Sequence, residues 1–253
     1  MSPLLTSLMA FAIIFAGSFV GMFIRNSVPE HHLSADTKDI VRLGTGLIGT
    51  IAGLVLGLLI SAANGTYDTQ SAQVKQVIAG IVLLDRTLEL YGPEADSARK
   101  LLRQSVGILA DRIWRENSSD SAKAAPFVES ASAESLYDEI LRMKPGTEAQ
   151  RLLQAKALDA TTDLAKARLL LFARAGRSIP VPFLVVLISW LTIIFASFSL
   201  FAEHNATSIA ALCIFALSAS AALFLILELS QPFTGLMMIS EEPLRGALAP
   251  LGS

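Results

Sequence analysis

The stretch GLIGTIAGLVLGLLIS, residues 46–61, carries no charged side chain and no proline. It lies inside a longer apolar run, residues 43–63, and about 20 such residues let a helix cross a ~30 Å hydrocarbon layer. From Gly49 a small residue recurs at every fourth position, at Gly53, Gly57 and Ser61. Glycine inside a helix costs about 1 kcal/mol relative to alanine, so the repeat points to a seam where helices pack in lipid or to the wall of a pore. Outside the run, residues 3–24, 182–202 and 207–229 have the same character, and Glu228 is the one charge they contain. The first two runs stand close together, as do the last two. An all-α membrane protein with four transmembrane helices in two hairpins is expected.

Composition agrees: 53% of the 253 residues are hydrophobic and the mean hydropathy is +0.55, outside the range of ordinary soluble domains. Nothing basic precedes the first run and Arg25 follows it, which predicts a retained helix rather than a signal peptide. With 20 basic and 22 acidic residues, the chain offers no electrostatic footprint for nucleic acid. The single cysteine, Cys213, excludes an intrachain disulfide and is expected as a small buried apolar residue. There is no glycine-rich phosphate loop, no GxSxG and no carboxylate pair with a reason to meet across a cleft. The chain is therefore expected to be no enzyme, with no catalytic residues, no cofactor and no metal.

The expected organisation is a hairpin over residues 1–64, a helical cytoplasmic region over 65–178, a second hairpin over 179–231 and a cytoplasmic C-terminal tail over 232–253. In the insert, Val74, Val77, Ile81, Leu84, Leu88 and Tyr91 alternate spacings of three and four, a heptad seam. Gly92 and Pro93 suit a helix stop and a new start. A helix from Glu94 to about residue 117 should bury Leu102, Val106, Leu109 and Ile113. A loop is expected at SSDSAKAAP, residues 118–126, and a short helix over residues 133–143. Thr147 should then cap a helix to about Ala175, striped by Leu153, Ala157, Ala160, Leu164, Ala167 and Leu171. No proline falls between Leu43 and Tyr91, so the second span can run on as one rod. Its seam can be covered by neighbouring subunits or by a bundle within the chain.

Positions spaced by four advance about 40° per step, so the row Gly49, Gly53, Gly57, Ser61 winds round its helix. Gly17 and Gly21 form a matching GxxxG in the first run. Small residues at such spacing let helices pack closely in lipid, and the two helices of the first hairpin are expected to meet through them. Leu47, Ile51, Leu54 and Leu58 instead form a straight aliphatic stripe, about 110° from the centre of the glycine row. That stripe faces lipid, or, around a symmetry axis, forms a dewetting pore constriction.

Glu228 is a membrane-edge carboxylate: a proton-sensitive group at the inner mouth, or a headgroup-level partner of Arg177 or Arg245. Glu30, His31, His32 and Asp36 share one loop region and Glu203 and His204 another, but without ligand spacing they read as solvated. The sequon at Asn205–Ala206–Thr207 abuts a span in a very short loop and is discounted. PLRGAL, residues 243–248, is expected as a short interfacial helix with Leu244 and Leu248 toward the membrane. The loop between the last two runs lacks Lys and Arg, which places the insert and both termini in the cytoplasm.

HLSADTKDIVRLGTGLIGTIAGLVLGLLI (residues 32–60), PVPFLVVLISWLTIIFASFSLFAEHNAT (180–207) and LELSQPFTGLMMISEEPLRGAL (227–248) together resemble the bestrophin-like family of bacterial and plant membrane proteins. The resemblance implies two transmembrane hairpins around a helical cytosolic region. By analogy with true bestrophins it further implies a pentameric anion channel whose second transmembrane helix lines the pore. True bestrophins carry neck aromatics and an acidic calcium clasp. Here residues 43–63 hold no aromatic, and only Glu241 and Glu242 stand after the last span. The expected function is a passive channel of the bacterial inner membrane for a small anion such as chloride, with the lipid bilayer and further copies of itself as partners. The alternative is a non-conducting membrane scaffold or sensor whose cytoplasmic helices recruit a partner.

Overall fold

The computed structural model describes residues 2–29, 34–115, 131–174, 179–202 and 205–247. The regular elements among these are helical: α1 Pro3–Ser27, α2 Ala35–Tyr91, α3 Asp96–Arg115, α4 Ala131–Arg142, α5 Glu148–Arg174, α6 Val181–Phe201, α7 Ala206–Leu229 and α8 Glu242–Gly246. Four of them, α1, α2, α6 and α7, are long and apolar enough to cross a membrane by length and composition. The chain divides into two compact units, one of Met1–Thr66 with Ser178–Ser230, the other of Tyr67–Arg177 with Gln231–Ser253.

In the first unit the core is built by Ala10 and Ile14 of α1, Ala52 of α2, Leu187, Leu191, Ile194 and Phe195 of α6, and Leu212, Ala216 and Leu223 of α7. α1 begins at Ser2, whose Oγ accepts from Leu5 N at 3.3 Å, and α7 begins at Asn205, whose Oδ1 accepts from Ser208 N at 2.7 Å. Each cap satisfies one of the orphan amides of a helix start. Ser220 of α7 donates to the Ser7 carbonyl of α1 at 2.6 Å. Arg25, at the end of α1, donates to the Ala202 carbonyl just beyond α6.

Gly17 and Gly21 pack α1 on α6. A Cβ on Gly17 would stand 2.7 Å from Thr192 Cγ2, and one on Gly21 would overlap the Ala196 carbonyl oxygen. The expected pairing of these glycines with the α2 row is thus not the contact made. The reason is the small partner surface that Thr192 and Ala196 present four residues apart on α6. The α2 row is open within this chain: Gly49 has only Ile194 Cδ1, at 4.0 Å, and a Cβ at Gly53 or Gly57 would meet nothing within 4 Å.

In the second unit every residue named for the α2 and α3 seams is buried in one core. Of the α5 stripe, Ala157, Leu164, Ala167 and Leu171 are buried, with Leu153 and Ala160 packed against them. Of the two ways to cover the seam of α2, the chain uses a bundle of its own. α2 is continuous from Ala35 to Tyr91, and Gly92 ends it with a φ of 119°, a backbone conformation that favours glycine. A short 3-10 turn, Pro93–Ala95, then leads into α3. Thr147 Oγ1 accepts from Gln150 N at 3.1 Å and caps α5. Gln150 Nε2 donates to the Tyr91 carbonyl at 3.2 Å, and Gln154 Nε2 to those of Ile140 and Met143 at 2.8 and 2.9 Å. Two glutamines of α5 therefore satisfy carbonyls left at the ends of α2 and α4. The loop expected at residues 118–126 lies outside the described residues.

The segment after α7 differs from expectation. Trp114 Nε1 donates to the Ile239 carbonyl at 2.8 Å, and its ring meets Phe233 edge-on at 5.9 Å. Leu244 of α8 is buried in the helical core rather than turned to a membrane surface, and Arg245 bonds Asp111 and Glu241, each at 3.0 Å. Burial against α3 removes the apolar side that an interfacial helix needs. Leu248 lies outside the described residues.

Candidate functional site

Around α2 in the first unit, three faces carry different chemistry. Thr45, Ala52 and Ala63 are buried and mark the face turned to the chain's own helices. About 140° away lie Leu47, Ile51, Leu54 and Leu58, exposed at 64%, 40%, 66% and 70%. The glycine row occupies a third face, about 110° from each of the others. Gly53, Gly57 and Ser61 are exposed there and Gly49 is half-buried. Helical periodicity alone separates these faces; the structure adds that the chain's own helices cover the first and reach the glycine row only at Gly49.

Between α2 and α6 lies a cavity of about 390 Å³ lined by Arg42, Thr45, Gly46, Gly49, Ser197 and Phe198, among others. Sequence reading did not find it, because it depends on which helix lies beside Gly46 and Gly49.

Glu228 is buried near the C-terminal end of α7, at 3% exposure. Arg245, one of the two partners expected for it, is engaged by Asp111 and Glu241 in the other unit. The other, Arg177, lies outside the described residues, as do Glu30, His31, His32, Glu203 and His204. Among the described residues, no group of three or more His, Cys, Asp or Glu comes together as a metal site would require. Cys213 is free and half-buried rather than fully enclosed.

The second unit holds two features that periodicity did not reveal. Asp85 of α2, 0% exposed, accepts a two-pronged bond from Arg99 of α3, Nε to Oδ1 at 3.0 Å and Nη2 to Oδ2 at 2.9 Å. The hydrogen bond to Asp85 holds the Arg99 pKa above its ordinary value. Arg168 of α5 is also buried, yet its Nε and Nη2 have no hydrogen-bond partner among the described residues. Desolvation pushes its pKa down to about 10. Only the spacing Asp85–Arg99 across the GP turn, and an arginine inside the α5 stripe, hinted at either.

Comparison with known proteins gives two matches. The sequence model of the bestrophin-like domain matches residues 12–244. The crystal structure of a bacterial bestrophin homolog from Klebsiella pneumoniae, in a form with one substitution, is similar with a TM-score of 0.65. The identity is 14%, over 97% of this chain and 99% of that one. No curated protein matches the sequence.

Proposed function

We propose, from the premise that this chain belongs to the bestrophin-like family, that it is a homo-oligomeric membrane channel passing a small anion such as chloride passively. In this reading α1, α2, α6 and α7 span the bilayer as two hairpins. The second unit and both termini lie in the cytoplasm, and α2 lines the path.

The observation that carries the reading is the division of α2 into three faces. A helix lining a ring needs its back on its own subunit, one flank against a neighbour and its front toward the axis. Thr45, Ala52 and Ala63 supply the back. The unfilled glycine row suits the flank, since small residues admit close helix approach in lipid. Leu47, Ile51, Leu54 and Leu58 are left for the front, where an aliphatic ring gates by dewetting. Family analogy favours a pentamer. No enzymatic step is assigned to the chain.

The test is the particle mass of the purified protein in detergent, followed by chloride flux from liposomes. A ring of several copies with measurable flux is expected, and Leu54→Ser, by wetting the constriction, should raise that flux. A monomer, or a ring without flux in either form, defeats the reading and leaves the scaffold or sensor.

A further inference from the structure

The cavity of about 380 Å³ between α4 and α5 is lined by Tyr137, Asp138, Thr161, Leu164, Ala165 and Arg168, together with Glu134, Leu136 and Thr162. It has the size of a small-molecule site. Arg168 is 8% exposed, and two of its three guanidinium nitrogens are enclosed without a hydrogen-bond partner. A guanidinium stays protonated at neutral pH, and a charge buried without a counter-charge is strongly unfavourable. The chain solves the same problem elsewhere: Arg99 is met by Asp85 with two bonds. Among the described residues nothing comparable is supplied to Arg168.

We propose that Arg168 anchors a small monocarboxylate in the cavity between α4 and α5. The carboxylate provides the planar pair of acceptors that a guanidinium fork fits. Thr161 and Thr162 donate their hydroxyls to the carbonyls of Ala157 and Leu158, at 2.8 and 3.0 Å. Arg168 and the Tyr137 phenol are then the donors left to the ligand. Leu136, Leu164 and Ala165 offer an apolar wall to a short alkyl tail, which sulfate lacks; Glu134 and Asp138 also line the cavity, but neither bonds Arg168. The inference is independent of whether the membrane unit conducts.

The experiment follows thermal unfolding of the full chain in detergent while butyrate or sulfate replaces chloride at constant ionic strength. Butyrate should raise the midpoint with its concentration, as mass action requires of a ligand that binds the folded state, and sulfate should not. Arg168→Gln should weaken the apparent butyrate affinity by about tenfold or more and, in chloride alone, unfold at a higher temperature than the parent. Arg168→Lys should retain a weaker response, and equilibrium dialysis of labelled butyrate against the parent gives the binding directly. A flat response to butyrate, or an equal one in Arg168→Gln, overturns the site. Loss of assembly mass in Arg168→Gln overturns it too, because the missing counter-charge would then belong to a second copy of the chain.

Discussion

Asp85 of α2 is fully buried, as Leu84 and Leu88 are, and a carboxylate is tolerated there only because Arg99 meets both of its oxygens. Removing one partner of such a pair costs far more than the pair contributes, because the other charge is stranded. Arg99→Ala, which strands the fully buried Asp85 carboxylate, should therefore lower unfolding stability by about 3–5 kcal/mol, read by denaturant titration of the purified chain, and replacing both residues together should recover much of the loss. The glycines make a second contrast at this scale. Gly21 has no room for a methyl group against Ala196, whereas Gly57 has nothing near it within the chain. Gly21→Ala should cost about 1–3 kcal/mol by overpacking α1 on α6. Gly57→Ala should leave the single chain folded and show its effect in the assembly, which should dissociate at a higher protein concentration than the parent. Equal thermal destabilisation by both would refute this division of labour.

At the scale of elements, the end of α2 carries a titratable marker. Tyr91, the last residue of α2, is buried, and its hydroxyl has no hydrogen-bond partner among the described residues. Burial first, and Glu94 second, raise its pKa above the ordinary phenol value. The folded chain thus holds this proton at a pH where the unfolded chain has released it. The stability that goes with it is complete below about pH 10 and is lost as pH climbs from there toward the folded pKa. Melting the parent and Tyr91→Phe between about pH 8 and 11 should give curves that diverge only above about pH 10, the parent falling faster. Parallel curves would mean that the phenol is not sealed in this way.

The same helix shows what periodicity can reach. The seam from Val74 to Tyr91, the stop at Gly92 and the cap at Thr147 are local signals: a repeat, a backbone conformation and a side chain that bonds three residues on. Each could be read without knowing the partner. The contact of Gly17 and Gly21 with α6, the folding of Phe233 and Leu244 onto α3, and the ion pair of Asp85 with Arg99 depend on which distant segment arrives. No local pattern encodes that. For the candidate pore surface, periodicity separated the aliphatic stripe from the glycine row. It could not say that the face of Thr45, Ala52 and Ala63 would be the one covered by the chain's own helices, which leaves most of the other two faces open within the chain.

For the whole molecule the decisive question is what medium Leu54 meets. Lipid and a dewetted pore both welcome an exposed leucine, so burial in one chain cannot separate them, but a thiol can. In a Cys213→Ala background, Leu54→Cys turned to the axis wets the constriction as Leu54→Ser does, its thiol is ionised part of the time, and only the thiolate reacts quickly with a charged methanethiosulfonate. At a lipid-facing position the thiol meets neither water nor the reagent. A pore at this face therefore predicts modification of Leu54→Cys in liposomes together with a change in chloride flux. Ala52→Cys, on the buried face of the same helix, should stay unmodified and leave the flux unchanged. Because the two positions lie at nearly the same depth, a difference between them cannot come from how far the reagent penetrates the bilayer. It reports the rotation of α2 about its own axis, which is the quantity on which the channel reading stands. Protection of Leu54→Cys in particles that are otherwise folded and assembled would turn the stripe toward lipid and take the path away from this face.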